Sequence, residues 1–458
     1  MNTPARRVAF ALLVLVLLPP AGYAGEGRKA ACRELEGGAL AALAREVDRS
    51  LPAWSELYKE CHQRPELSGQ EKESAARIAG HFERAGLEVT TGVGGHGVVG
   101  VLKNGEGSTV LVRGDMDALP IVEETGLPFA SRVRVTLPDG TTVGAMHACG
   151  HDLHQTVLVA TAQTLAALRA HWSGTAILVA QPAEETGEGA LAMIEAGLLR
   201  RFGRPDACIA LHVSHEMKAG TVGWTPGWVN ANVDSVDITL HGKGGHGAYP
   251  HASVDPVVAS AQVVLALQTI VSRRINPLDH AVVTVGSIHG GTKHNVIPDE
   301  VRLQLTVRSF TDEVRRDVLE SIRRIAVDTA RAAGCPRPPD VVVRQGEFTP
   351  AAYNDPVLSE AAAGVFRRLL GEEAVIRRPP SMGGEDFGRF AKESGAAGFM
   401  FQLGVVAPER FEASQKPGGA SLPPVHSSRF QVDIGPSLRT GVQCMAGLAL
   451  SLFSGGGS

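Results

Sequence analysis

"GTAILVAQPAEE", Gly174–Glu185, decides how the rest of the chain is read. Five apolar residues, Ala176–Ala180, run without interruption, as in a strand buried on both faces, and Pro182 ends it. Two glutamates follow at once. "STVLVRGDMDALP", Ser108–Pro120, repeats the design, with Asp115 and Asp117 after the apolar run. "DACIALHV", Asp206–Val213, carries His212 near its end, and "GFMFQLG" is a further apolar strand near the C-terminus. Between them "HDLHQTVLVATAQTLAALRAHW" has helical spacing, with Asp152 near its start. Alternating buried strands and helices predict an α/β unit whose sheet is mostly parallel, with helices on both faces.

A second unit begins near Asn230. "VDSVDITLHG", "HAVVTVGSIHGG", "DEVRLQLTVRSF" and "DVVVRQGEF" are strands. "DPVVASAQVVLALQTIVSRRI" and "EVRRDVLESIRRIAVDTARAAG" are helices. The order β-α-β-β-α-β predicts a ferredoxin-like split βαβ domain of α+β type. The chain then returns to its first pattern, so the expected division is 25–229, an insertion at 230–348, and 349–458. Upstream, Leu51 to about Gly86 is read as helical, with Ser68 and Glu71 as a capping box and Gly86 as the stop.

The bulk numbers exclude some classes. The chain has 458 residues, 44% hydrophobic and 20% charged, with net charge −4. That is globular composition, and nothing in it points to a nucleic-acid partner. Arg6, Arg7 and the apolar run Val8–Leu18, followed by small Gly22 and Ala24, predict a signal peptide over 1–24. The expectation is therefore an exported chain, periplasmic or secreted, with no membrane segment after signal removal and none later. "SGGGS" at the end reads as a tail. The cysteines at 32, 61, 149, 208, 335 and 444 are widely spaced, leaving room for one disulfide of unreadable pairing.

In open α/β sheets ligands collect at the carboxyl ends of the strands. Asp115/Asp117, Glu184/Glu185 and His212 fall there. Cys149 and His151, in "GAMHACGHDLH", lie at a helix start, and His426 sits in the proline-bounded "PPVHSS". Thiolate, imidazole and carboxylate together form a donor set for divalent metal. Of two adjacent glutamates, one can bind metal while the other takes a proton from water. Singly, each feature has a plainer reading. An E-E pair is usually solvated surface, Asp115 and Asp117 can cap a turn, Cys149 can be a small core residue, and His212 can be a satisfied core histidine. Their shared location at strand ends is what points to a site.

"RGDMDALP", "MHACGHD", "PAEE", "ALHV", "GKGGHGAYPH", "HNVIPDE" and "GGEDF" occur in that order. In this the chain resembles the amidohydrolase branch of the zinc aminoacylase/carboxypeptidase superfamily, which includes hippurate hydrolases and N-acyl-amino-acid amidohydrolases. The resemblance spans roughly Leu51 to Leu450. It implies a site for two divalent metal ions (Mn, Zn, Co or Ni) held by Cys149, His151, Glu185, His212 and His426. It makes Glu184 the general base that forms the metal-bound hydroxide, and later the acid to the leaving amine. Asp117 would orient a ligand, while Asp115 stands where relatives often have a histidine ligand. His246, in relatives often supplied by a partner or closing domain, would stabilise the oxyanion; Asn295 would help hold oxyanion or substrate carboxylate, and Arg308 that carboxylate. Glu385 and Asp386 would line the site; His147, His154 and His251 flank motifs without being ligands. The inserted unit would serve as lid or dimerisation domain, which leaves open a homo-oligomer. The substrate would be a small N-acyl-amino acid or peptide, cleaved to a carboxylic acid and an amino acid. The rivals are a dipeptidase of the same superfamily, a cysteine hydrolase using Cys149, and a binding protein without turnover.

Overall fold

The structure, a computed structural model, describes residues 32–35 and 37–453. The expected signal peptide and the SGGGS tail lie outside them. The larger sheet has eight strands. Its order is Glu88–Thr91, Val98–Asn104, Gly174–Gln181, Thr109–Asp115, Ala207–Lys218, Ala397–Val406, Val222–Trp224 and Val375–Arg377. The four central strands run parallel. The two strands at the first edge are antiparallel, and Val222–Trp224 runs antiparallel to Ala397–Val406. The sheet is thus parallel at its centre and mixed at its edges.

The apolar runs divide between two cores because successive residues of a strand face opposite ways. Val110, Val112, Ala176 and Leu178 face one cluster, which is closed by the helices Gly37–Gln63, His151–Ala167 and Ile434–Leu452. Leu111, Ile177 and Val179 face the other, beneath the short helices Gly189–Glu195 and Gly388–Ser394. Both faces are covered, as an unbroken apolar strand requires.

Asn232–His241, Ala281–His289, Glu300–Ser309 and Asp340–Val343 form a separate antiparallel sheet, in which Glu300–Ser309 and Asn232–His241 occupy the centre. Helices Pro256–Arg273 and Asp312–Ala332 pack on it around a core of their own. The observed β-α-β-β-α-β order is the one read from sequence. One sequence expectation meets an exception: Pro256–Arg273 is long and apolar enough to cross a membrane. It packs on the sheet through Ala259, Val263, Leu267 and Ile270, while Val258 and Leu265 on its outer side are exposed.

The Leu51–Gly86 helix is two helices, Gly37–Gln63 and Lys72–Arg84. The expected capping box does not form. Glu66 takes the N–H groups of Glu73 and Ser74, at 3.0 and 2.7 Å. The Ser68 hydroxyl donates to Asp117 Oδ2 at 2.7 Å, and Glu71 accepts from Ala183 N at 2.8 Å. A cap is worth about 1 kcal/mol. A hydrogen bond to a charged group is worth about 1.5–3 kcal/mol, so the contacts towards residues 117 and 183 prevail. All six cysteines are free thiols, so the disulfide left open by the sequence does not form.

Candidate metal centre

Asp115 and Gln181 end two neighbouring parallel strands in register. The loops that follow them, the start of helix His151–Ala167, the middle of Ala207–Lys218 and the loop bearing His426 meet at that edge. His212 lies mid-strand rather than near a strand end, because the strand continues to Lys218. Gly150, with φ +76°, turns the chain between Cys149 and His151. A Cβ there would come within 2.7 Å of Val213.

Ring tautomers are set by what each histidine donates to. Nδ1 of His151 donates to the Asp117 carbonyl and carboxylate, at 2.9 and 3.1 Å. Nδ1 of His212 donates to the Val213 carbonyl at 2.9 Å. Each Nε2 lone pair is therefore available to a cation, an arrangement typical of metal-binding histidines. His212 Nε2 is 3.5 Å from Cys149 Sγ, and His426 Nε2 is 3.5 Å from Glu185 Oε2. His151 Nε2 faces Glu185 Oε1 at 3.8 Å and Glu184 Oε2 at 3.9 Å. The two His151 contacts, at 3.8 and 3.9 Å, are too long for hydrogen bonds. They suit donors about 2.0–2.3 Å from a shared ion. The groups Cys149/His151/His212, Cys149/Glu185/His426 and His151/Glu184/Glu185 each bring their donor atoms within 4.8 Å of one another.

The charge inventory agrees. Asp115, Asp117, Glu184, Glu185, Glu385 and Asp386 crowd this edge, and Arg113 is the buried guanidinium among them. Burial pushes the Glu184 carboxyl well above the usual range, helped by Glu385 and Glu185. Burial likewise raises Glu185 to about 7. Burial also pushes the Cys149 thiol well up. Cations beside these groups would reverse each shift. The donor set and its excess negative charge therefore fit two divalent ions.

Asp115 and His154 form a further candidate group with His151, but their atoms are already engaged. His154 Nδ1 donates to Asp115 Oδ1 at 2.6 Å, and its Nε2 accepts the Val213 N–H at 3.0 Å. Arg113 takes the other Asp115 oxygen at 2.6 Å. Burial lowers His154 to about 4, so it stays neutral.

Sequence reasoning missed Arg113. It is fully buried and donates to Gln181, Asp115, Glu385 and Asp386 at 2.6–3.1 Å. Its signal was a lone charge inside an apolar strand, which has to be paired. Glu385 and Asp386 thereby acquire a role as its counter-ions, and Asp386 also accepts Ala190 N at 2.9 Å.

The centre opens into a cleft of about 1110 Å³ between the two sheets, lined by Cys149, Glu184, Glu185, His212 and His426 and, from the second sheet, by Arg308. Arg308 Nη1 donates to the Met382 carbonyl at 3.1 Å. His246 and Asn295, expected at the reaction centre, do not line it. Both are exposed, and His246 Nδ1 accepts from Ala248 N at 3.0 Å. Their backbones run side by side, with Gly247 N donating to Asn295 O at 2.8 Å. The glycine-rich loop and "HNVIPDE" thus meet each other, but they are carried on the second unit away from the cluster.

Residues 111–417 match peptidase family M20/M25/M40. N-acetylcysteine deacetylase of Bacillus subtilis is 37% identical over 361 residues, covering 78% of this chain and 89% of that protein. Thermostable carboxypeptidase 1 of Saccharolobus solfataricus is 35% identical over 390 residues, covering 84% and 92%. Among solved structures, the Bacillus subtilis YXEP protein, described as a dinuclear metal binding peptidase from M20 family, superposes with a TM-score of 0.71. It is 30% identical and covers 88% of this chain and 98% of its own.

Proposed function

The chain belongs to the peptidase M20/M25/M40 family, in its amidohydrolase branch, and on that premise we propose how it hydrolyses the amide bond of N-acyl-amino acids. The observation that carries the reading is the pairing of His151 Nε2 and Glu185 Oε1. Both are buried and without hydrogen-bond partners, and they face each other below the cleft. Two divalent cations, when bound, polarise the amide carbonyl and acidify the attacking water. Cys149, His151, Glu185, His212 and His426 would hold them. The donor set admits Mn, Zn, Co or Ni.

The remaining work falls to side chains. Glu184, at the cleft floor and not required as a ligand, accepts the proton of the attacking water and returns it to the leaving nitrogen. A carboxylate beside the attacking water can serve in both directions, as base and then as acid. Asp117 keeps His151 in one tautomer. Arg308, which lines the cleft, would receive the substrate carboxylate. The thiol of Cys149 is buried and proton-bound in the absence of a cation, which disfavours it as a nucleophile.

The experiment is a panel of N-acyl-amino acids, including hippurate, and free dipeptides, assayed after chelation and after add-back of Mn, Zn, Co or Ni. Turnover of acyl-amino acids restored by metal is expected. Faster cleavage of free dipeptides would favour the peptidase reading, which the carboxypeptidase relative supports.

Two further proposals concern setting. The exposed apolar side of Pro256–Arg273, with Val258 55% and Leu265 71% accessible, suits a homodimer through the second unit. Such a dimer would give His246 and Asn295 a cleft to complete in the other copy. Sedimentation of Leu265→Asp against the parent tests it; an unchanged mass refutes it. The charged and apolar N-terminus supports export, which N-terminal sequencing of protein recovered outside the cytoplasm would check.

A further inference from the structure

Ser68 and Glu71, having no cap to form, take no part in the mechanism above. We propose that Glu71 is a positioning residue: its carboxylate holds Ala183 in the left-handed conformation that aims Glu184 and Glu185 at the metal centre. The proposal rests on reading that centre as the hydrolytic site.

Ala183 has φ +50°, one of two non-glycine residues with positive φ among those described; the other is His426. A non-glycine residue held there costs about 1–3 kcal/mol and persists only where the surroundings fix it. Glu71 is fully buried. Its Oε1 accepts from Ala183 N and from Gly69 N, each at 2.8 Å. Its Oε2 is buried with no hydrogen-bond partner. The side chain lies at the start of helix Lys72–Arg84 yet makes no cap bond to it. A buried carboxylate that neither caps its helix nor meets a cation is expensive, so its contact with residue 183 is the feature that accounts for it.

The far side of Glu184 is held in the same way, because Asp117 Oδ2 accepts Glu185 N at 3.0 Å. The glutamate pair is therefore pinned before and after Glu184 by two carboxylates. The turn then closes on itself through Gly187 N to Glu184 O at 2.7 Å and Gly189 N to Ala183 O at 3.0 Å. A Cβ on Gly189 would lie 1.6 Å from the Pro182 oxygen, so the turn has little room to settle elsewhere.

Because one oxygen accepts both N–H groups, the side chain must supply an acceptor at that point, and a negative charge is not required. This separates three variants of the full chain: Glu71→Gln, Glu71→Asp and Glu71→Ala. Each is stripped of metal, titrated with cobalt(II) alone while the visible absorption is recorded, and then assayed for kcat and KM on the panel above. For Glu71→Ala and Glu71→Asp, cobalt affinity or kcat is expected to fall about 10–100-fold, the usual cost of losing a group that supports a metal site. The cobalt band should shift, and KM should change little. Glu71→Gln is expected to keep the parent's spectrum and kcat, since its amide oxygen can take both N–H groups.

Parent-like spectrum and kcat in Glu71→Asp and Glu71→Ala, whatever their melting temperature, would overturn the proposal. So would a Glu71→Gln variant as damaged as Glu71→Ala. If Glu71→Ala does not fold, the aspartate and glutamine variants decide. If the parent hydrolyses no member of the panel while the cobalt spectra sort as expected, the hydrolytic reading fails and the role of Glu71 stands.

Discussion

Cys149 Sγ and His212 Nε2 stand 3.5 Å apart, the thiol from a loop before a helix and the imidazole from mid-strand. Two elements 63 residues apart are brought to a separation that one ion can bridge. Replacing Cys149 by Ala should leave the fold intact and weaken metal retention by at least the roughly 10-fold that loss of a supporting group costs. Metal analysis after dialysis checks this; unchanged stoichiometry and affinity would remove Cys149 from the ligand set.

Glu184 is expected to matter for turnover and little for occupancy. Glu184→Gln should lower kcat by about 10²–10⁴-fold, the range for a positioned acid–base group, with both metals still bound. Steady-state kinetics alongside metal analysis of the same preparation make the comparison. A variant with parental kcat would refute the assigned role.

Arg113 neutralises a fully buried acidic group. Arg113→Met leaves Asp115, Glu385 and Asp386 without their guanidinium. Breaking a buried ion pair by removing one partner costs about 3–5 kcal/mol, so urea unfolding should shift by that amount. A shift below about 1 kcal/mol, the worth of a surface pair, would show that the cluster carries less charge than described.

His62 gives the pH prediction. Burial works against its charge, but Asp152 at 2.6 Å and Glu123 at 3.0 Å outweigh burial and raise it from 6.5 to about 10. A histidine raised on folding contributes stability that is complete below pH 6.5 and is lost as pH rises through about 10. Parent stability should therefore fall between pH 6.5 and 10, and His62→Gln should be less stable at pH 6 with a flatter profile. Urea unfolding at pH 6, 8 and 10 measures both; parallel profiles would exclude the ion pair.

Much of this was legible in the chain because strand burial and strand-end polarity are local signals. Val110–Val112 and Ile177–Val179 announce a sheet covered on both faces, and Glu184 and Glu185 announce its functional edge. The inserted β-α-β-β-α-β order was legible for the same reason. Distances that depend on tertiary contact were hidden. Ser68 and Glu71 carry the spacing of a cap, yet stronger partners from residues 117 and 183 claim them, and Glu66 takes the helix end. His246 and Asn295 sit in loops that do meet each other, but sequence order says nothing of where those loops stand relative to the cleft that Arg308 of the same unit lines. Arg113 was visible as an odd charge, though its partners 272 and 273 residues away were not.

Strand Ala397–Val406 lies between Ala207–Lys218 and Val222–Trp224 in the larger sheet, and this has a consequence for synthesis. The smaller sheet and its helices lie between Asn232 and Val343, so their core can form while the ribosome is still making the rest. The larger sheet must wait for its interior strand, and the candidate donor His426 emerges later still. If His426 is a ligand, its group is translated after the other residues that line the cleft, and the full donor set exists only near the end of synthesis.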